Sequence, residues 1–304
     1  MTDVTSLDPQ LVAAADHAMR HWTGSDPGAI RIGSAAHKRL FCDMLLATHN
    51  PYKPSVIRWP DLEPDARDRL VSLPIWDMAV QTEGRAKLRV QSYADTIRDE
   101  LLNKAVTLDA WEEGRHKEVL SRLVAFYGIT LEPEPEYVRP RDPEWAFLRT
   151  GYSECMDSFF AFGLFALAER SGFFPRELVD TFEPVIQEEA RHIIFFVNWV
   201  AWHRANLPLW RRPWFDLKRL AVWATISFDR LQTARDMGGG KGDTKKDENF
   251  TATGHKAMGI DASARDLFVL CLEENDRRMA GYDPRLLRPK TMPRIMRLVL
   301  RFMK

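Results

Sequence analysis

Apolar side chains recur every three to four residues along most of the stretch from 76 to 204, and the two-residue alternation of a strand is hard to find there. This spacing predicts four long helices, at about 76–98, 104–127, 148–169 and 177–204. The breaker-rich LEPEPEYVRPRDPEW at 131–145 separates the first pair from the second, and RSGFFP at 170–175 punctuates the second pair. An all-α fold with a four-helix bundle over 76–204 is the expectation.

The flanks continue the helical pattern less evenly. Residues 1–75 contain a predicted helix near 9–22, a proline-containing stretch around NPYKPSVIRWPDLEP and a short helical DARDRLVSL, and this extension is expected to pack on the bundle. Residues 205–304 begin with the Trp- and Arg-rich LPLWRRPWF and a helix to about 235. A loop at about 236–250 follows, flexible by composition, and then DASARDLFVLCLEENDRRMAG reads as a helix capped by Asp or Ser. Residues 285–304 carry seven basic side chains and no acid. Arg294, Arg297, Arg301 and Lys304 fall on one stripe there, with Ile295, Met296, Leu298, Val299 and Phe302 opposite or beside it. Such a helix suits an anionic membrane surface, a partner, or docking on the bundle, and docking is slightly favoured.

Setting the residues of each helix at about 100° intervals shows which acids fall on an apolar face. Glu83 lies in the middle of a stripe formed by Trp76, Ala79, Val80, Ala86, Val90 and Ala94, whereas Asp77, Asp95 and Asp99 point away. In the second helix Glu113 and His116 interrupt the stripe of Val106, Ala110, Leu120 and Val124, with Glu112 and Glu118 to the sides. The fourth repeats this with Glu189 and His192 among Val185, Ile186, Ile193 and Phe196. In the third, both Glu154 and Asp157 border the face of Ser158, Ala161, Phe165 and Ala168. Residues equidistant from a tight turn lie at one level in antiparallel helices, and Glu154 and Glu189 are equidistant from the Ser171–Gly172 junction, which favours Glu154. Glu83 and Glu113 are equidistant from Arg98, where no Gly or Pro marks a reversal.

An ionised carboxylate taken out of water needs a partner or must accept a proton. Four of them on four apolar faces call for a shared counter-charge. Two divalent cations would cancel four carboxylates, and two imidazoles would complete the coordination. The Glu-x-x-His spacing sets both side chains one turn apart on one face, and it occurs twice, in EEGRH at 112–116 and EEARH at 188–192. One such match is weak; two, each preceded by a helix with a core Glu, form a much stronger pattern.

In these features residues 76–204 resemble the ferritin-like di-iron carboxylate proteins, whose bundle site combines one Glu from each of two helices with Glu-x-x-His from each of the other two. The resemblance implies that Glu83, Glu113, His116, Glu154, Glu189 and His192 ligate two metal ions, an Fe/Fe or a Mn/Fe pair, with Glu113 and Glu189 bridging and O2 as co-substrate. Arg115 and Arg191, repeated before each His, invite a role in holding a ligating carboxylate. His203 shares the face of His192 but lies roughly 16 Å further along the helix by its rise, and is excluded from the site.

Members of this family store iron, remove peroxide, generate radicals or oxidise organic substrates. About 75 residues before the bundle and 100 after it set the chain apart from bare storage ferritins, and the CxxC module of rubrerythrin-like peroxidases is missing. Val185 stands where p-aminobenzoate N-oxygenases carry a further His, and nothing in the flanks favours the small subunits of ribonucleotide reductase. The spacings, 30 residues from Glu83 to Glu113 and 35 from Glu154 to Glu189, look most like the compact hydroxylases of quinone biosynthesis. An O2-dependent di-metal oxidase or oxygenase acting on a small organic substrate, lipophilic if the basic C-terminal helix meets a membrane, is therefore expected. A ferroxidase and a non-catalytic interaction bundle are the alternatives. Ala79, Ala86, Ala161 and Ala168 would leave room beside the metals, with Phe165 and Trp76 as lining. Because the chain has no GxGxxG fingerprint, electrons would come from a reductase or ferredoxin partner.

Composition changes this picture little. Lys plus Arg and Asp plus Glu both number 43, so no global basic field points to nucleic acid. Cys42, Cys155 and Cys271 form no framework, which suits a reducing compartment. The N-terminus lacks the basic start and apolar run of a signal peptide, and no apolar stretch reaches the ~18 residues of a membrane span. The expectation is a cytoplasmic protein, with peripheral contact at the inner membrane face and a homodimeric state left open.

Overall fold

The computed structural model describes residues 8–51, 58–238 and 263–303, with backbone alone at 233–238. Its regular elements are helical: α1 (Pro9–Arg20), α2 (Ala35–Ala47), α3 (Pro64–Val71), α4 (Trp76–Ala94), α5 (Glu100–Tyr127), α6 (Pro143–Ser171), α7 (Arg176–Asn206), α8 (Arg212–Gly238), α9 (Ala264–Met279) and α10 (Thr291–Phe302). A 3-10 turn, Leu209–Arg211, precedes α8. An isolated bridge between Trp22 and Tyr282 is the one β-type pairing among the described residues. The expected loop at 236–250 lies, from 239 on, outside the described residues.

The long helices α4 to α7 form the centre. α4 packs on α5 and α6, α6 on α7, and α5 on α7. Their ends are set by capping chemistry. The α4–α5 reversal comes at 95–99, so α4 stops at Ala94 and α5 starts at Glu100, each about four residues earlier than the apolar period suggests. Polar side chains make this turn in place of Gly or Pro. Thr96 Oγ1 donates to the Tyr93 carbonyl at 2.7 Å, Asn103 Nδ2 to the Ala94 carbonyl at 2.8 Å, and Asp99 caps α5 by accepting from Leu102 N at 3.0 Å. Asp142 caps α6 ahead of Pro143. α6 ends at Gly172, whose φ of 66° is the left-handed conformation that suits a residue without Cβ, and α7 follows after three residues.

α2 has no counterpart among the predicted helices. It lies against both α5 and α7, burying His37, Leu40, Phe41, Cys42, Met44 and Leu45. Contact on two sides spreads its buried residues around the helix and erases the one-faced apolar stripe by which a surface helix is recognised.

On the other side α9 packs on α6 so closely that a Cβ at Gly163 would meet Cys271 Sγ at 2.3 Å. Its cap is Ser263, in a capping box with Asp266. α10 rests on α9 and α6 through Met292 and Met296, while Leu298 and Phe302 face outward. The basic C-terminal helix thus docks on its own chain. Among the described residues no helix is long and apolar enough to cross a membrane.

Candidate metal centre

Helical spacing places Asp109, Glu113 and His116 on one face of α5, and Glu189 and His192 on one face of α7. α4 adds Glu83 and α6 adds Glu154. Three groups result whose ligand atoms lie within 4.8 Å of one another: Glu83 with Glu113, His116 and Glu189; Asp109 with Glu113 and His192; and Glu154 with Glu189 and His192. All six residues expected from the sequence are therefore brought together. Glu113, Glu189 and His192 each belong to two groups. Asp157, the rejected alternative to Glu154, instead accepts from Arg230. His203 Nε2 lies 2.9 Å from Glu144 Oε1, apart from the cluster.

The two motifs serve each other. Glu188 lies 2.8 Å from His116 Nε2, and Glu112 lies 2.8 Å from His192 Nε2. Arg115 donates to Glu188 at 2.5 Å, and Arg191 to Glu112 at 3.0 and 3.2 Å. Each first Glu of one EExRH-like motif thus holds the His and the Arg of the other. The arginines contact Glu112 and Glu188, and none of Glu83, Glu113, Glu154 and Glu189 accepts a hydrogen bond from them. Arg191 also donates to Thr48 Oγ1 and the Leu45 carbonyl, both at 2.7 Å, and Arg115 to the Asn50 carbonyl at 2.8 Å. α2 and the segment after it are thereby part of the surroundings. Glu112 further contacts His49 Nδ1 at 2.6 Å, and the Arg115 guanidinium lies 4.7 Å from the centre of the Trp111 ring.

Ionisation follows from this layout. Burial pushes Glu112 up, but the Arg191 charge and the hydrogen bonds from His192 and His49 outweigh it and hold Glu112 well below the usual carboxylate range. An ionised Glu112 only accepts, so His192 Nε2 must donate. Nδ1 then points the other way, 3.0 Å from Glu113 Oε1 but out of hydrogen-bond alignment. His116 repeats this, with Nδ1 3.2 Å from Glu189 Oε1. His116 Nδ1, His192 Nδ1, Glu113 Oε1 and Asp109 Oδ1 are all buried without a hydrogen-bond partner. Two of each kind, nitrogen and oxygen, left unsatisfied in one small volume is an arrangement that a cation would complete.

Charge points the same way. Burial pushes Glu113 and Glu154 well above the carboxylate range and Asp109 up to about 6, with neighbouring acids adding to it. Burial lowers the affinity of His116 and His192 for a proton, but the surrounding carboxylates more than reverse this and hold both well above the usual imidazole value. Protons thus stand in for the positive charge that the carboxylates require.

Ala79, Ala161 and Phe165 are partly exposed, the Phe165 ring lying 6.0 Å from the Arg278 guanidinium, whereas Ala86, Ala168 and Trp76 are buried in packing. Cys155, next to Glu154, lines a separate cavity of about 240 Å3 in which Tyr152, Phe196 and Trp223 face Arg219, Arg288 and Lys290.

Sequence reasoning overlooked Asp109, which sits one turn before Glu113; Val185 occupies the matching place before Glu189. It also set Glu112 aside as a lateral residue. The doubled glutamate at the same offset in both motifs was the available signal. Compared with known protein families, curated proteins and solved structures, the chain matches none.

Proposed function

We propose that the protein is a non-haem di-metal oxidase or oxygenase built on a ferritin-like four-helix bundle. One observation carries the reading: two buried imidazoles, each fixed by the other motif's glutamate, turn unpartnered Nδ1 atoms toward shared carboxylates. Glu83, Glu113, His116 and Glu189 would hold one ion, and Glu113, Glu154, Glu189 and His192 the other, with Asp109 beside His192. Their donor set of oxygen and imidazole nitrogen suits iron, or a manganese and iron pair. When bound, such a pair supplies the electrons and the Lewis acidity for O2 activation.

The chain's own residues supply the rest. Glu112 and Glu188 set the imidazole tautomer and orientation, as outer carboxylates do for metal-ligating histidines. Arg115 and Arg191 neutralise those two glutamates, so the inner carboxylates alone determine the charge of the cavity. Val106, Ala110, Ile193 and Phe196 belong to the buried core on the same helices, while Glu83 and Glu189 keep 20 and 15 % of their side-chain surface open. A small organic molecule would be the substrate, and a reductase or ferredoxin would deliver electrons.

Metal analysis combined with O2 uptake tests the reading. Purified protein loaded anaerobically with Fe(II) is expected to hold two ions per chain and to consume O2 faster when a suitable substrate is present. Stoichiometric Fe(II) oxidation with mineral growth would instead identify a ferroxidase, and the absence of metal binding would reject both.

A further inference from the structure

Among the described residues, α8 is covered by its own chain on one side only. Phe215, Val222 and Ile226 are buried, whereas Trp214, Leu217, Phe228 and Leu231 are 69, 55, 62 and 60 % exposed. With Ala221 and Ala224, these outward residues follow one another at intervals of three, four, three, four and three. That is the spacing of a coiled-coil seam, a narrow apolar line completed by one further helix.

The positions flanking the seam are Pro213, Lys218, Leu220, Thr225, Ser227 and Gln232. Their single charge, Lys218, is already engaged by Asp142 at 2.9 Å and Glu144 at 2.8 Å. A lipid surface is met by a broad apolar face edged with several free basic groups, whereas this face has at its edge one exposed arginine, Arg211, stacked 4.8 Å from the Trp210 ring. The seam is also self-complementary. About the midpoint between Val222 and Trp223, Ala221 mirrors Ala224, Leu217 mirrors Phe228 and Trp214 mirrors Leu231. In a second copy running antiparallel, every apolar side chain of the seam meets another, with large residues at the ends and small ones at the centre. Together with Trp210 and Leu220 at its edge, the face exposes roughly 800 Å2, so full coverage would remove from water about what one partner contributes to a standard interface.

We infer that a second copy of this chain covers the face, α8 pairing antiparallel with α8 about a two-fold axis. Sedimentation velocity at micromolar concentration tests this: the wild type is expected as a dimer, and Leu217→Glu/Phe228→Glu as a monomer with unchanged helical circular dichroism. Cysteine cross-linking reads the register independently. Trp214→Cys/Leu231→Cys is expected to form disulfide-linked dimers. Trp214→Cys alone should not, because its two thiols would stand roughly 25 Å apart along the seam. A monomeric wild type, a dimer that survives both glutamates, cross-linking of Trp214→Cys alone, or binding to anionic vesicles in place of self-association would each overturn the inference.

Discussion

Glu188 Oε2 lies 2.8 Å from His116 Nε2, although the two residues are 72 positions apart and belong to different helices. Glu112 and His192 repeat the relationship at 2.8 Å across 80 positions. Because each outer glutamate is bound to the opposite motif, neither imidazole can rotate without breaking a bond to the neighbouring helix.

Glu112→Gln therefore tests a positioning role. Loss of the ionised acceptor is expected to weaken divalent metal binding about 10- to 100-fold while the number of ions bound at saturation stays the same. Titration calorimetry with Co(II) measures both quantities, and a drop in stoichiometry would make Glu112 a ligand.

Glu154 and Asp157 lie one turn apart on α6 and separate cleanly. Glu154→Ala is expected to reduce the metal content, measured by elemental analysis, from two ions per chain toward one. Asp157→Ala should leave it unchanged, because Asp157 accepts from Arg230.

The metal-free centre is expected to compete with metal for protons. Burial raises Glu113, Glu154 and Asp109, and carboxylates raise His116 and His192, so each folded-state value lies above the unfolded one. Their contribution to the stability of the metal-free fold is complete below the unfolded values and is lost as pH rises through the folded ones. Glu112 and Glu189 are depressed, so theirs is complete above about 4.5 and constant beyond it. The gain in melting temperature on adding metal should accordingly increase between about pH 5 and 8. Calorimetry in buffers of different ionisation enthalpy should show proton release on binding; proton uptake would contradict the scheme.

Gly163→Ala addresses packing alone. The added methyl would face Cys271 Sγ at 2.3 Å and the Cys271 backbone nitrogen at 2.9 Å, so α6 and α9 must separate. A loss of about 1–3 kcal/mol is expected from chemical denaturation, with metal stoichiometry unaffected.

The four central helices and the six inward residues were legible because period and polarity conflict there: an acid on an apolar face stands out within its own helix. What failed to show depended on neighbours. Glu112 appears lateral on α5 alone, and its meaning comes from Arg191 and His192 on α7. The reversal at 95–99 relies on side-chain caps that a search for Gly and Pro passes over. Asp109 sits within the α5 stripe, yet a Glu-x-x-His template does not ask for a residue four positions earlier.

The carbonyls of Leu45 and Asn50 and the Thr48 hydroxyl receive the two buried guanidiniums. A fragment trimmed to 76–206 would retain every inward-facing donor but strip three acceptors from Arg115 and Arg191. Their glutamates would then be gripped by cations opened to solvent, and both imidazoles would lose their fixed bearing. The N-terminal stretch is in this sense the outer wall of the chamber, and trimming it should loosen the grip on metal before it unwinds any of the four long helices.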